Sequence, residues 1–579
     1  MPLSSSRSTR RHVAVLIVMC FVSPLSRAGD ILRGGAPMGS QGQRSEAANQ
    51  ATSAAAAKAR TNARDSLART SRALRDAQAL QAAARAAAQA NTANNLGINP
   101  NTGSQLPNVP NGLAVGGLQV DPGVSGGTAV WSGAGLPTQS QSGGASNVRI
   151  RQTQQTALLS WQTFNVGRKT TLTFDQKAGG SDARKWVAFN KVNDPTGAPS
   201  QILGSIRADG QVYVINRNGI IFGGTSQVNV STLVASSLPI NDNLISRGLL
   251  NNPDAQALLS GLTIPAGAST PAFVPEPPNP AVGTYGDVTV QKGARLTSPT
   301  NAAKVGGRIV LAGPNVTNEG TISTPDGQTI LAAGMQIGFG AHRSDDPSLR
   351  GLDVFVGAIE DPLTGQSAGS VSNRGLIDVP RGNATLSGRT VRQLGVIESS
   401  TSVSFNGRID LDASYDAVRN TAYRPERAGD SPFLFRSTGT VELGAGSLMR
   451  ILPEWNDSST IPGTVLPLRS QINVRGGTVH FRPGSSLLAP NANVSVNAGI
   501  WDLVQTTAAG TNRFVRSGGQ VYVDRDALLD VAGTTDAQAQ LADYILTVQL
   551  RGAELAGSPL QRVSVFRIPG QESPSLTVD

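Results

Sequence analysis

Side chains able to move protons or hold metals are scarce in this sequence and poorly spaced. The chain has three histidines and one cysteine. Beyond residue 28 only His342 and His480 remain, and Cys20 lies before that point. This rules out Cys/His zinc sites and thiol nucleophiles, and it leaves little room for a Ser-His-Asp arrangement. Carboxylates are the remaining candidates. Asp410 and Asp412 alternate onto one strand face, and Asp524, Asp526 and Asp530 lie close together. Paired carboxylates are what glycosidic bond cleavage requires. Carboxylates two residues apart are also ordinary on any solvated strand. The G-G-x-G-x-D arrays of calcium-binding repeats, phosphate loops, dinucleotide fingerprints and an RGD tripeptide are all missing from the sequence. The sequence therefore predicts no catalytic residue, no metal site and no cofactor, and the chain reads as a non-enzyme.

The elements that carry these residues point the same way. The 579 residues include 65 glycines, while aromatics make up 4% and charges 15%. That composition suits many short strands joined by tight turns better than an enzyme core with large aromatic anchors. A net charge of +10 is partly concentrated in the first 90 residues and otherwise diffuse. It lacks the dense Lys/Arg block of a nucleic-acid binder, and no nucleic-acid partner is expected.

The first 28 residues have the layout of an export signal: Arg7, Arg10 and Arg11, an apolar core over Val13–Val22, and small residues before a cleavage site after Ala28. The apolar run is too short to span a bilayer. Cleavage there removes the only cysteine, so the mature chain would be held by packing and backbone pairing alone. Residues 29–44 read as a flexible leader. Ser45 to Ala90 is Ala/Arg-rich without Gly or Pro, and predicts a helix with a weak apolar stripe at Leu67, Leu74 and Leu80. Residues 91–112 form a Pro/Asn/Gly linker.

From about Leu113 the grammar changes to β-branched and aliphatic runs bounded by Gly, Asn or Asp. "GQVYV" occurs at Gly210 and again at Gly519, and N-x-G-x-I at Asn318 and Asn373. Loose repeats of this kind predict a solenoid, in which a lone coil cannot bury enough apolar surface and stacked coils can. Gly and Asn at the corners would supply positive φ, and stacked Asn side chains would form ladders. At about 20–25 residues per coil the stack could reach up to roughly 100 Å. Two segments interrupt the repeat, Ile240–Gly286 and Tyr415–Phe433, and read as surface excursions. A row of β-sandwich domains would instead show hairpins and boundaries every ~100 residues, which the sequence lacks.

An ordered series of motifs runs from Leu158: "WQTFNVG", "FNKV", "SQILG", "GQVYVINRNGI", "VASSL" and "NEGTI". The series resembles the N-terminal secretion domain of filamentous haemagglutinin-type exoproteins of two-partner secretion. It is closer to the high-molecular-weight adhesin branch, since no N-P-N-L element is present. The resemblance covers about residues 113–345 and continues weakly through repeats over 346–579. It implies a mainly β fold, a right-handed parallel β-helix. It also implies passage through the periplasm by the Sec machinery and export by an outer-membrane β-barrel transporter with periplasmic modules, to be secreted or held at the cell surface. Trp161, Phe164, Asn165, Asn190, Asn216, Asn218 and Gly219 fall on the signature, either as transporter-recognition residues or as structural turns. Where the family usually has Pro after the first Asn of the turn, this chain has Arg217. Pro would pre-set the turn's φ, so the resemblance leaves turn rigidity open.

Adhesion to a host-cell or bacterial-cell receptor leads among the downstream roles. A contact-dependent toxin carrier and a polysaccharide-cleaving β-helical enzyme are the alternatives, the enzyme being the least favoured. The sequence stops at "ESPSLTVD" without a capping pattern, which points to a fragment or an early truncation.

Overall fold

A computed structural model describes residues 97–98, 103–238, 278–341, 348–361, 364–420, 431, 433–454, 468–506, 509–533, 546–549 and 575–578. The export signal, the leader, the Ala-rich segment, most of the Ile240–Gly286 excursion and His342 lie outside those residues. The described body is a three-sided parallel β-helix. Each full coil contributes one strand to each of three sheets, as in Gln211–Ile215, Ile220–Phe222 and Gln227–Asn229. The next coil repeats the order with Thr232–Ser236, Val288–Val290 and Arg295–Thr297, each parallel and in register with its predecessor.

The sequence patterns follow from what each sheet faces. Several strands of the third sheet alternate, as in Ala145–Arg151, where Val148 and Ile150 are buried between exposed Asn147, Arg149 and Arg151. The middle strands of the first sheet are buried along nearly their whole length, as in Gln211–Ile215, Thr232–Ser236 and Gln328–Ala333, whereas later ones such as Arg408–Asp412 alternate. Burial on both faces makes a strand read as a continuous apolar run. Its inner face joins a core that extends from Leu118 to Ala498.

Its outer face forms a second core. Phe189, Tyr213, Val234, Val310 and Ile330 succeed one another across five coils. A hairpin, Ile337–Ala341 with Leu352–Val356, supplies the apolar side chains packed against them, together with Phe433 and Phe435. Phe433, Phe355, Phe435 and Trp501 stand in a chain of ring contacts 4.7–5.9 Å apart. The described parts of the Tyr415–Phe433 excursion are thus a covering layer and not a variable surface feature. They are drawn inward because the first sheet is apolar on both sides.

Among the described residues the third sheet has twelve strands, all parallel except the opening hairpin strand Thr138–Ser142. At about 4.8 Å per step this parallel part spans roughly 50 Å, inside the upper bound set by coils of about 20–25 residues. At the N-terminal end Leu118–Val120 and Trp131–Ser132 pair antiparallel with Thr156–Phe164, closing the first edge. Leu106 and Val109, near the end of the expected linker, are buried.

Corner residues behave partly as expected. Asn318 donates to Asn373 at 2.8 Å, and Asn373 donates to Gln393 at 2.8 Å, a side-chain ladder over three coils. The glycines two residues on are not there for positive φ. β-Carbons on Gly375 and Gly395 would collide with the carbonyl oxygens of Gly320 and Gly375, so the column exists for close backbone approach. "GQVYV" also changes meaning with position. Gln211–Ile215 is a buried first-sheet strand, whereas Gln520–Val523 is an exposed second-sheet strand at the far end of that sheet.

Two stability experiments follow. Gly375→Ala should destabilise the fold by about 2–4 kcal/mol, read as a lowered melting temperature, since the Gly320 backbone cannot withdraw without breaking the adjoining ladder. Asp378 sits in register with Glu398, which is itself ion-paired with Arg450. Burial, with Glu398 alongside, pushes the Asp378 carboxyl up to about 6. A raised folded pKa means that the fold holds this proton more tightly than the unfolded chain does. Its contribution is therefore full below about pH 4 and lost as pH rises through about 6. Asp378→Asn should stabilise the protein at pH 7.5, by at most about 3 kcal/mol, and change little at pH 4 in paired melting curves.

Candidate recognition site

The signature residues cluster on the first coils, and every one of them is buried. Trp161 and Phe164 point into the core from Thr156–Phe164, with ring centroids 5.3 Å apart and Trp131 5.2 Å from Trp161. The indole Nε1 of Trp161 donates to Asn190 Oδ1 at 2.9 Å. Asn190 is fully buried among aliphatic side chains, and its Nδ2 donates to the carbonyls of Tyr213 at 3.0 Å and Ala188 at 3.2 Å. One amide thus satisfies the only polar atom of the tryptophan and ties three successive coils together. A buried polar group is tolerated only when paired in this way.

Asn165 does the same work at the next corner. Its Oδ1 accepts from the Gln201 backbone N–H at 2.7 Å, and its Nδ2 donates to the Gly116 carbonyl at 3.0 Å. Gln201 Nε2 in turn donates to the Pro107 carbonyl at 3.0 Å. The N-terminal cap is therefore stapled to the second coil through Asn165 and through Gln201 itself.

Asn216 to Gly219 form a closed turn, with the Gly219 N–H donating to the Asn216 carbonyl at 2.9 Å. Within it the Asn218 N–H donates to Asn216 Oδ1 at 3.0 Å, the pattern of an Asx turn. Asn216 Nδ2 reaches back to Ser200 Oγ at 3.0 Å, and Asn218 Nδ2 to the Asp194 carbonyl at 2.9 Å, both on the preceding coil. Gly219 has φ +103°, and a β-carbon there would stand 2.8 Å from the Asp287 carbonyl oxygen. Here, unlike at Gly375, both conformation and space require glycine. Arg217 is half-buried, and its carbonyl accepts from the Gly286 N–H at 2.9 Å. The Asx bond and this cross-coil bond hold the turn without proline.

One partner escaped the sequence reading. Asn279, near the end of the Pro-rich excursion, donates to Asn218 Oδ1 at 3.1 Å and to the Asp194 carbonyl at 2.8 Å. Nothing in its local spacing announces it. Only the return of the long excursion to the same corner brings the two asparagines together.

The acidic pairs have structural partners. Asp410 is ion-paired with Arg408 at 2.8 Å and accepts from Asn473 at 2.8 Å. Asp412 caps the Ser414 N–H at 2.8 Å. Asp524 lies 2.8 Å from His480 Nε2, while Asp526 and Asp530 are not drawn to it by any hydrogen bond among the described residues.

The TPS secretion domain family matches residues 129–415 of this chain. Two heme/hemopexin-binding proteins of Haemophilus influenzae are relatives. One is 33% identical over 93 residues, 16% of this chain and 9% of that protein. The other, from strain ATCC 51907 / DSM 11121 / KW20 / Rd, is 30% identical over 131 residues, 21% of this chain and 13% of its own length. The chain therefore covers only about a tenth of these relatives. The crystal structure of the HMW1 secretion domain from Haemophilus influenzae aligns at TM-score 0.38 and 17% identity, over 69% of this chain and 100% of that one.

The Trp161–Asn190 pair makes a direct test. Asn190→Ala should cost about 1–3 kcal/mol in chemical denaturation, because it strands a buried indole N–H. Trp161→Phe combined with Asn190→Ala should cost less than the sum of the two single changes. Additive losses would mean that the two side chains do not act together.

Proposed function

As a two-partner secretion exoprotein, carrying its secretion domain over residues 129–415, the chain has a signature whose placement calls for a physical account, and we propose the following one. The protein is an adhesin-type exoprotein, secreted or held at the cell surface. Its N-terminal β-helical part is read by an outer-membrane transporter before it folds. The observation that carries this reading is the burial of Trp161, Phe164, Asn165, Asn190, Asn216, Asn218 and Gly219. A partner cannot touch these side chains in the finished β-helix. They either meet the transporter in the unfolded chain or act only by building the coils.

The route begins with Sec-dependent export and removal of the signal after Ala28. In the periplasm, strand-rich segments offer unpaired backbone edges that a periplasmic module of the transporter extends by β-augmentation. Outside the cell, each coil that forms presents a template for the next. Stacking then biases movement outward without nucleotide hydrolysis. The signature corners matter most at this step, because they close the first coils on the cap.

The relatives' names speak of heme and hemopexin, but so small a part of their length is shared that adhesion to a receptor remains the reading favoured here. The long parallel stack supports it, since it offers extended surface.

Co-expression with the cognate transporter tests the role of the turn. Asn216→Ala with Asn218→Ala should leave the protein in the periplasm and cut surface yield at least tenfold, measured by fractionation and surface labelling. Unchanged surface yield would remove the turn from the export mechanism.

A further inference from the structure

The outer face of the third sheet carries a feature that export does not use. Arg149, Thr173, Arg207 and Asn229 succeed one another in register on four neighbouring strands. On the adjacent line Ser205, Gln227 and Arg295 do the same on three. The arginines therefore recur on every second strand, at intervals of about 10 Å. A groove of about 740 Å³ runs past Arg149 and Arg207, and one of about 330 Å³ past Arg207 and Arg295. Arg207 and Asn229 line both, so the two make one continuous shallow track along the stack.

Positive charge predominates along it, from Arg149, Lys177, Arg207 and Arg295. Arg207, Asn229 and Arg295 are exposed, and neither Arg207 nor Arg295 is ion-paired with another described residue. Arg149 is bound to Asp175, yet its side chain remains 59% exposed. In register between the arginines stand Thr173 and Asn229. Asp175, paired with Arg149, and Asp209 line the same groove with the opposite sign and moderate the field.

The geometry points to a linear acidic polysaccharide lying along this face, with one carboxylate or sulfate on every second sugar. Arginine forks bind such groups through paired charge-assisted hydrogen bonds. The intervening hydroxyls and amides suit sugar hydroxyls. A nucleic-acid strand fits less well, because its charges recur about every 3.4 Å and its bases need aromatic platforms that this face does not offer. A lipid surface fits less well too, since the track has no apolar side chains to insert. This inference deepens the adhesin reading and rests on it for its cellular meaning. Binding by purified protein does not pass through export, so the two can fail separately.

The test titrates the purified full chain with hyaluronan oligosaccharides of increasing length and with unsulfated chondroitin. Uncharged dextran, single-stranded DNA and phosphatidylserine vesicles are run alongside. The expected result is salt-sensitive binding of the acidic glycans that strengthens until an oligosaccharide spans Arg149 to Arg295. Arg207→Gln with Arg295→Gln should weaken it at least tenfold with the melting temperature unchanged, while Arg374→Gln, an exposed arginine elsewhere, should leave it unaltered. Failure of the wild-type chain to bind either glycan would overturn the proposal. So would equal binding by the double variant, or tighter binding of DNA or vesicles through the same arginines.

Discussion

A parallel β-coil has no stability of its own. Its backbone N–H and C=O groups point along the stack, so each coil leaves a row of unmet donors and acceptors until a neighbour lies against it. Much of this structure answers that constraint. Antiparallel strands near Leu118 and Trp131 close the first edge. Glycine columns at Gly320, Gly375 and Gly395 let corner backbones approach to hydrogen-bonding distance. Asparagines at the same corners add side-chain bonds in the direction of stacking. A motif that looks like a surface signal in the sequence is, in the folded chain, part of this scheme.

That scheme reconciles the two readings of the signature residues. As structural parts, Asn190 and Asn165 each connect three segments that are distant in sequence. As recognition elements, they are accessible only before those connections form. Unpaired edges are what a β-augmenting partner takes, and they are also what the next coil takes. On the proposed route, recognition and folding would compete for the same backbone groups, and folding beyond the membrane would remove the chain from the contest.

Much of the architecture was legible in the sequence because the pattern reports burial directly. Alternation in Ala145–Arg151 and the apolar run of Gln211–Ile215 state whether one face or both are covered. The Asn ladder was legible from the spacing of N-x-G-x-I. The second core was not, because Phe355, Phe433, Phe435 and Trp501 come from three segments far apart in sequence, none of which announces its partners. Asn279 was hidden for the same reason, since its role depends on where a long excursion returns. The repeated "GQVYV" shows the opposite limit: one pentapeptide serves two sheets, and only the stacking order decides which.

The central claim is that the signature is read in the unfolded chain and hidden in the folded one. Titrating the transporter's isolated periplasmic part against the secretion region, once during refolding from denaturant and once after folding is complete, tests this most directly. The account predicts binding during refolding, with folding slowed in proportion to the periplasmic part added, and loss of binding once the β-helix has formed. Equal affinity for the fully folded protein would contradict it.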